Sequence, residues 1–385
     1  MKVGFYSCMS GMPWGGSEAL WWRTARLLQN AGHHVAVNYK WWPHPAQELL
    51  ELQEAGGSVW FRNQPKSFFE TKTAGLRKLF SRNGHEPSWL QSARPDAVLI
   101  TLGYHPDRLP IADECLRLYI PYAVNVQSAS TFYFIHSDNL EKYRRWYCGA
   151  TKVFFVSPEN ELKMQNNLAI KLENSEIIAN PFNVPHDASP NWPTDDSVFK
   201  LAVVGRFHFQ SKGQDLIVDA LKQDKWRGRP IQITFYGHDQ GQLRQLQDLI
   251  ALHGLEKQLV IGGFMERVEE IWENNHGLLL PSRYEGAPLV VIEAMLCNRM
   301  VIATNTGRNE ELIDDGKTGF IAEGPTVRLV DEALQRAFDA RDNWKQMGEL
   351  AGQQIRERYP SDPIAEFGNR LLALAPKNSD VAHST

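Results

Sequence analysis

The 385-residue sequence predicts an α/β chain of two doubly wound parallel-sheet domains, and three observations carry that prediction. Short apolar, often β-branched runs alternate with amphipathic stretches from one end to the other, as parallel sheets covered on both faces require. The length exceeds what one hydrophobic core organises, so two domains are expected. The alternation breaks once, at NPFNVPHDASPNWPTDDSVF (180–199), a stretch rich in Pro, Asn and Asp without periodicity. A linker is predicted there.

In chain order, strands are predicted in the first half at KVGFYS, HHVAVNY, SVWFR, DAVLITLG, YAVNVQS and KVFFVS. In the second half they are predicted at FKLAVVGR, IQITFYG, LVIGGF, HGLLLPS, MVIATN and TGFIA. Helical spacing of apolar residues falls between them, at 17–31, 214–223, 240–254, 289–297 and 326–340. The boundaries read as one domain over 1–180, a linker over 181–198 and a second domain over 199–360, with a polar tail, 376–385, that frays. Two such domains would face each other with the carboxyl ends of their strands as ligand-binding edges.

Composition narrows the function. At 43% hydrophobic and 22% charged residues the chain is an ordinary globular protein, neither disordered nor fibrous. A formal charge of −4 argues against broad nucleic-acid binding, although residues 1–185 carry a net +3 and 186–385 a net −7. The four cysteines, Cys8, Cys115, Cys148 and Cys297, are too scattered for a zinc knuckle or disulfide framework. No signal-peptide core and no run of 18 apolar residues occurs, so a cytoplasmic location is expected. Neither SGMPWGGSEAL nor VVGRFHFQSKG fits G-x-G-x-x-G, which weighs against a nicotinamide enzyme.

The stretch PSRYEGAPLVVIEAM (281–295) carries the chemistry. A buried strand ends, a Gly-bearing turn holds Glu285, and Pro288 stands where a first helical residue is favoured. The free N–H groups of Leu289 and Val290, with the positive end of the helix dipole behind them, make an anion site suited to phosphate. Glu293 lies roughly 8 Å further along the helix axis. The two acids therefore flank a phosphate, whereas a retaining glycosidase needs its carboxylates about 5 Å apart across one bond. A nucleotide sugar has the matching shape: a diphosphate with hydroxyl groups at both ends. In VVGRFHFQSKGQD, Arg206 and Lys212 emerge at the same sheet edge, where they can neutralise a diphosphate.

PSRYEGAPLVVIEAMLCNRMVIATNTGRNEELIDDGKTGFI resembles the donor-site segment of family 4 glycosyltransferases, with its Glu, seven residues, Glu pattern. VVGRFHFQSKGQD is similar to the family's Gly-Arg and Lys-Gly segment, NPFNV to its interdomain region and PWGGSEAL to its N-terminal Gly-Gly loop. The resemblance implies the GT-B fold of two Rossmann-like domains and a retaining, metal-independent transfer from a nucleotide sugar, with UDP or GDP as the nucleotide and no other cofactor. The first domain would bind the acceptor, the second the donor, and a last helix over 361–375 would cross back to the first. It further implies that Glu285, Gly286 and Ala287 contact the donor sugar, and that Leu289 and Val290 donate to the diphosphate. Glu293 would hold the ribose, Arg206 and Lys212 the diphosphate, and Gly15 and Gly16 would let backbone approach it. No D-x-D occurs in the chain, in keeping with cations and helix dipoles in place of a metal.

One departure stands out: where many members carry a histidine, this chain has Asn125, Gln127 and Ser128, and glutamine cannot act as a base. His105 and His136 are substitutes from neighbouring loops, or else ordinary loop histidines. Trp14, beside the Gly-Gly loop, is an acceptor-stacking candidate, whereas Trp21 falls on the helical pattern and belongs to the core. The segment 63–84 interleaves Lys66, Lys72, Arg77, Lys78 and Arg82 with apolar residues, so it either packs as a surface helix or contacts an anionic membrane peripherally. The acceptor is expected to be a glycan, glycolipid or small molecule, and no nucleic-acid partner is expected. Two rival readings are a nucleotide-sugar epimerase and a sugar-nucleotide-binding protein without turnover.

Overall fold

The structure, a computed structural model, describes residues 1–63, 89–103, 109–129, 134–195 and 197–375. The basic stretch from Lys66 to Arg82, His105 and the tail 376–385 lie outside the described residues. The chain divides into two compact units, one built from Met1–Ala179 with the chain from Asp362 onward, the other from Asn180–Ser361.

In the first unit seven parallel strands, β1 (Lys2–Ser7), β2 (His34–Lys40), β3 (Ser58–Arg62), β4 (Ala97–Leu102), β5 (Tyr122–Val126), β6 (Lys152–Phe155) and β7 (Ser175–Ile177), lie in the order β3-β2-β1-β4-β5-β6-β7. The central strand β4, AVLITL, is buried at every position, which explains its unbroken apolar run. At three residues, β7 is too short to carry a periodic signal, and it is absent from the sequence reading. Helix Ala19–Asn30 buries Leu20, Trp21, Thr24, Ala25 and Leu28 as one stripe.

The last helix, Pro363–Leu372, starts on Asp362, whose Oδ1 accepts from the Ala365 N–H at 2.9 Å. It packs in the first unit, with Phe367 edge-on to Phe154 at 5.2 Å and Arg370 Nε donating to Glu176 at 2.5 Å.

The second unit repeats the pattern with β8 (Phe199–Val204), β9 (Ile231–Tyr236), β10 (Leu259–Gly263), β11 (Gly277–Leu280), β12 (Met300–Thr304) and β13 (Gly319–Ala322). Their order, β10-β9-β8-β11-β12-β13, is again all parallel. Leu216, Ile217 and Leu221 of helix Gln214–Leu221 and Val330, Leu334 and Phe338 of helix Val327–Asp339 share one core with Leu201, Ile233 and Ile302. In each sheet the strand order reverses at one place, between β1 and β4 and between β8 and β11. Loops leaving the carboxyl ends of such neighbours diverge and open a ligand-sized crevice.

Among its described residues, the aperiodic stretch 180–198 holds no helix or strand, yet it is folded onto the second unit. Arg356 donates to the His186 and Ala188 carbonyls at 3.0 and 2.8 Å, and the fully buried Arg299 to the Asn191 carbonyl at 2.7 Å. Proline-rich backbone with few partners of its own is thus satisfied by guanidinium donors.

Candidate active site

The second unit's crevice is made by two loops, one leaving β8 and one leaving β11. From β8 the chain runs through Gly205 and Arg206 into a single helical turn, Phe209–Lys212. Gly213 follows with φ +66°, and a Cβ there would collide with the Pro281 carbonyl, so only glycine lets the two loops close up. The Lys212 stem passes over Gly205, and its Nζ donates to Glu285 Oε1 at 2.6 Å. Both side chains are mostly buried, at 18% and 11% exposure. Ser282 Oγ donates to the same oxygen at 2.7 Å. Arg206 is exposed, and its guanidinium pairs with no carboxylate among the described residues.

Arg283, inside the same motif, faces the protein instead. It binds Asp215 through both guanidinium ends at 2.8 and 2.7 Å and donates to the Phe209 carbonyl at 2.5 Å. Its own N–H donates to the Ser211 carbonyl at 2.8 Å. The Asp215 carboxylate raises the Arg283 pKa above its ordinary value. Burial first, and then the charges of Arg206 and Lys212, hold His208 below the usual histidine range. The His208 ring lies 2.8 Å from Ser211 Oγ.

Beyond Glu285 the turn passes through the half-buried Gly286 and Ala287. Pro288 has φ −71° and ψ 103°, so it caps the helix and Leu289 is its first residue, one position later than the sequence suggested. Among the described residues the N–H groups of Leu289 and Val290 donate to no protein group. Glu293, on the buried side of that helix at 4% exposure, accepts at Oε1 from the Asn183 N–H (3.0 Å) and Asn183 Nδ2 (2.8 Å). Arg206, Lys212, Glu285 and the Leu289 and Val290 N–H groups thus belong to one edge of the sheet.

The first unit's crevice opens beside the Gly-Gly loop, at the end of β1. Gly15 is extended (φ −157°) and starts the turn Gly16–Glu18, while Gly16 has open space around its Cα. Beneath them Glu18 is fully buried; its Oε2 accepts from Ser7 Oγ at 2.7 Å and Trp21 Nε1 at 2.9 Å. Trp21 is a core residue, and Trp14 is half-buried in the same cluster, 5.8 Å from Trp21 and 5.9 Å from Tyr39. Asn125 and Gln127 are buried at the end of β5, with Gln127 Nε2 3.4 Å from Asn125 Oδ1, and Ser128 is half-buried. His136 is exposed and caps helix Ser137–Cys148, its Nδ1 accepting from the Asp138 N–H at 3.4 Å. That is the role of an ordinary capping residue.

Residues 187–354 match the family described as glycosyl transferases group 1. All of the matched stretch lies in the second unit. The chain is 29% identical over 173 residues to the alpha-D-kanosaminyltransferase of Streptomyces kanamyceticus, covering 44% of each chain. It is 33% identical over 120 residues to the N-acetyl-alpha-D-glucosaminyl L-malate synthase of Bacillus anthracis, covering 31% of each. These matches span less than half the length of either relative. Among solved structures, that of Anabaena Alr3699/HepE in complex with UDP superposes with a TM-score of 0.74 at 18% identity, covering 97% of this chain and all of that one. That likeness establishes the fold, which is GT-B with two Rossmann-like units.

Sequence reasoning missed several residues of the second unit. Gly307, at φ +66°, backs the Glu285 turn, and a Cβ there would meet the Gly286 carbonyl at 2.9 Å and Glu285 Cβ at 3.1 Å. Ser282, Asp215 and Asn183 were passed over too. Ser282 sits three residues before Glu285 and Asp215 three after Lys212, so proximity to the named charges was the available signal. Asn183 lies in the NPFNV segment, but nothing in the sequence ties it to a partner 110 residues away.

Proposed function

We propose that the protein is a retaining glycosyltransferase that moves a sugar from a nucleoside diphosphate sugar to a hydroxyl of a glycan, glycolipid or small-molecule acceptor without a metal ion. The observation that carries this reading is the mostly buried Lys212–Glu285 pair beside the unpaired Arg206, at one switch-point edge of a unit that matches group 1. Glu285, oriented by Lys212 and Ser282, addresses the donor sugar with Gly286 and Ala287. Arg206, Lys212 and the N–H groups of Leu289 and Val290 hold the diphosphate, and Glu293 the ribose. The first unit takes the acceptor, with Trp14, Gln127 and Ser128 the residues of its crevice to test.

In the reaction the sugar's bond to the phosphate oxygen breaks as the acceptor oxygen bonds to the same face of the anomeric carbon. The acceptor proton passes to a phosphate oxygen. Charge grows on the departing diphosphate, and preorganised cations and N–H dipoles act on that charge without reorganising. UDP or GDP is the nucleotide we expect; the Anabaena protein of similar fold is in complex with UDP.

The experiment compares wild type with Glu285→Gln and Lys212→Gln in donor hydrolysis and transfer, with and without EDTA, and reads the product anomer by NMR. We expect retention, no effect of EDTA and a loss of on the order of 100-fold or more in each variant, with melting temperatures held. Near wild-type turnover in both variants refutes the assignment, and a sugar altered without an acceptor identifies an epimerase.

A further inference from the structure

We infer that Asn183 is a positioning residue for donor recognition: it aims the Glu293 carboxylate at the ribose. The inference rests on the donor-site reading given above and adds to it a residue from the aperiodic stretch after the first unit. Glu293 stands mid-helix at 4% exposure, where an acid needs donors to stay ionised and in place. Two of its donors come from one residue: the Asn183 N–H at 3.0 Å and Asn183 Nδ2 at 2.8 Å, both on Oε1. A pair of bonds from one amide residue to one carboxylate oxygen restrains the carboxylate's rotation as well as its place, since turning it breaks both.

Asn183 can do this because the chain on either side of it is held. Tyr359 Oη donates to the Asn180 carbonyl at 2.9 Å, and Arg356 donates to the carbonyls of His186 at 3.0 Å and Ala188 at 2.8 Å. The same guanidinium reaches the Leu296 carbonyl at 2.5 Å, at the far end of the Glu293 helix. Arg356 therefore fixes the distance between the Asn183 segment and that helix. A ribose presents two adjacent hydroxyl donors, and a carboxylate held at a fixed angle accepts from them with charge-assisted bonds. Loss of the angle should cost recognition of the hydroxyls and spare recognition of the diphosphate.

The test measures binding of UDP, GDP and ADP beside their 2′-deoxy forms, by calorimetry, to wild type and to Asn183→Ala, with melting temperature as the check on folding. Asn183→Ser serves if the alanine variant does not fold. Wild type should prefer the ribonucleotide of whichever base it binds, and Asn183→Ala should lower that preference on the order of tenfold while its affinity for inorganic pyrophosphate holds. A folded variant that keeps the wild-type preference overturns the inference and leaves the Glu293 assignment standing. A wild type that binds both sugars equally overturns the Glu293 assignment itself, and the inference with it.

Discussion

Glu285 is legible in the sequence, but what holds it is not. Its turn depends on Gly307, 22 residues downstream, whose positive φ and close approach to Gly286 leave no place for a Cβ. Gly307→Ala should destabilise the second unit by about 1–3 kcal/mol and lower transfer, read by denaturant unfolding and initial rates. Glu18 is the counterpart in the first unit. Burial raises its pKa above the ordinary 4.5, against the lowering effect of its bonds from Ser7 and Trp21. A raised folded pKa means that its contribution to stability is full below 4.5 and is lost as pH climbs through the folded value. Glu18→Gln keeps the shape of the protonated acid. The stability of wild type relative to Glu18→Gln should therefore fall as pH is raised from 4 to 8, measured by urea unfolding; a flat difference would show that Glu18 titrates normally.

The twelve strands expected from the sequence all form, because each is an apolar run bounded by Gly, Pro or polar turns, and the helix carrying Glu293 starts within one residue of expectation. The brace between the loops escaped notice because it is tertiary. Arg283 looks like a site cation by its place in PSRYEG, yet it is spent on Asp215 and the Phe209 carbonyl, locking the Lys212 turn to the Glu285 turn. Lysine cannot reproduce that two-pronged contact. Arg283→Lys should cut kcat/KM on the order of tenfold or more with Lys212 and Glu285 both present, and added guanidinium should restore part of the rate to Arg283→Ala. Wild-type kinetics in Arg283→Lys would mean the loops hold their register without the brace.

For the whole chain, alternation of strand and helix sufficed to give two doubly wound sheets, and both have the strand order that places a crevice between their first and fourth strands. The stretch after Ala179 was legible as irregular but not as part of the second unit, since the ties from Arg299, Arg356 and Tyr359 come from residues more than 100 positions away. The central claim is that the edge bearing Arg206, Lys212 and Glu285 binds a nucleoside diphosphate sugar. The measurement that tests it most directly is a thermal-shift titration with UDP-, GDP- and ADP-sugars on wild type, Arg206→Ala and Lys212→Gln. A ligand bound only by the folded state raises the melting temperature in step with its concentration over Kd. The account predicts that sugars of one base raise the wild-type melting temperature progressively and that both variants lose most of the rise; no rise with any of them, or an equal rise in both variants, would contradict it.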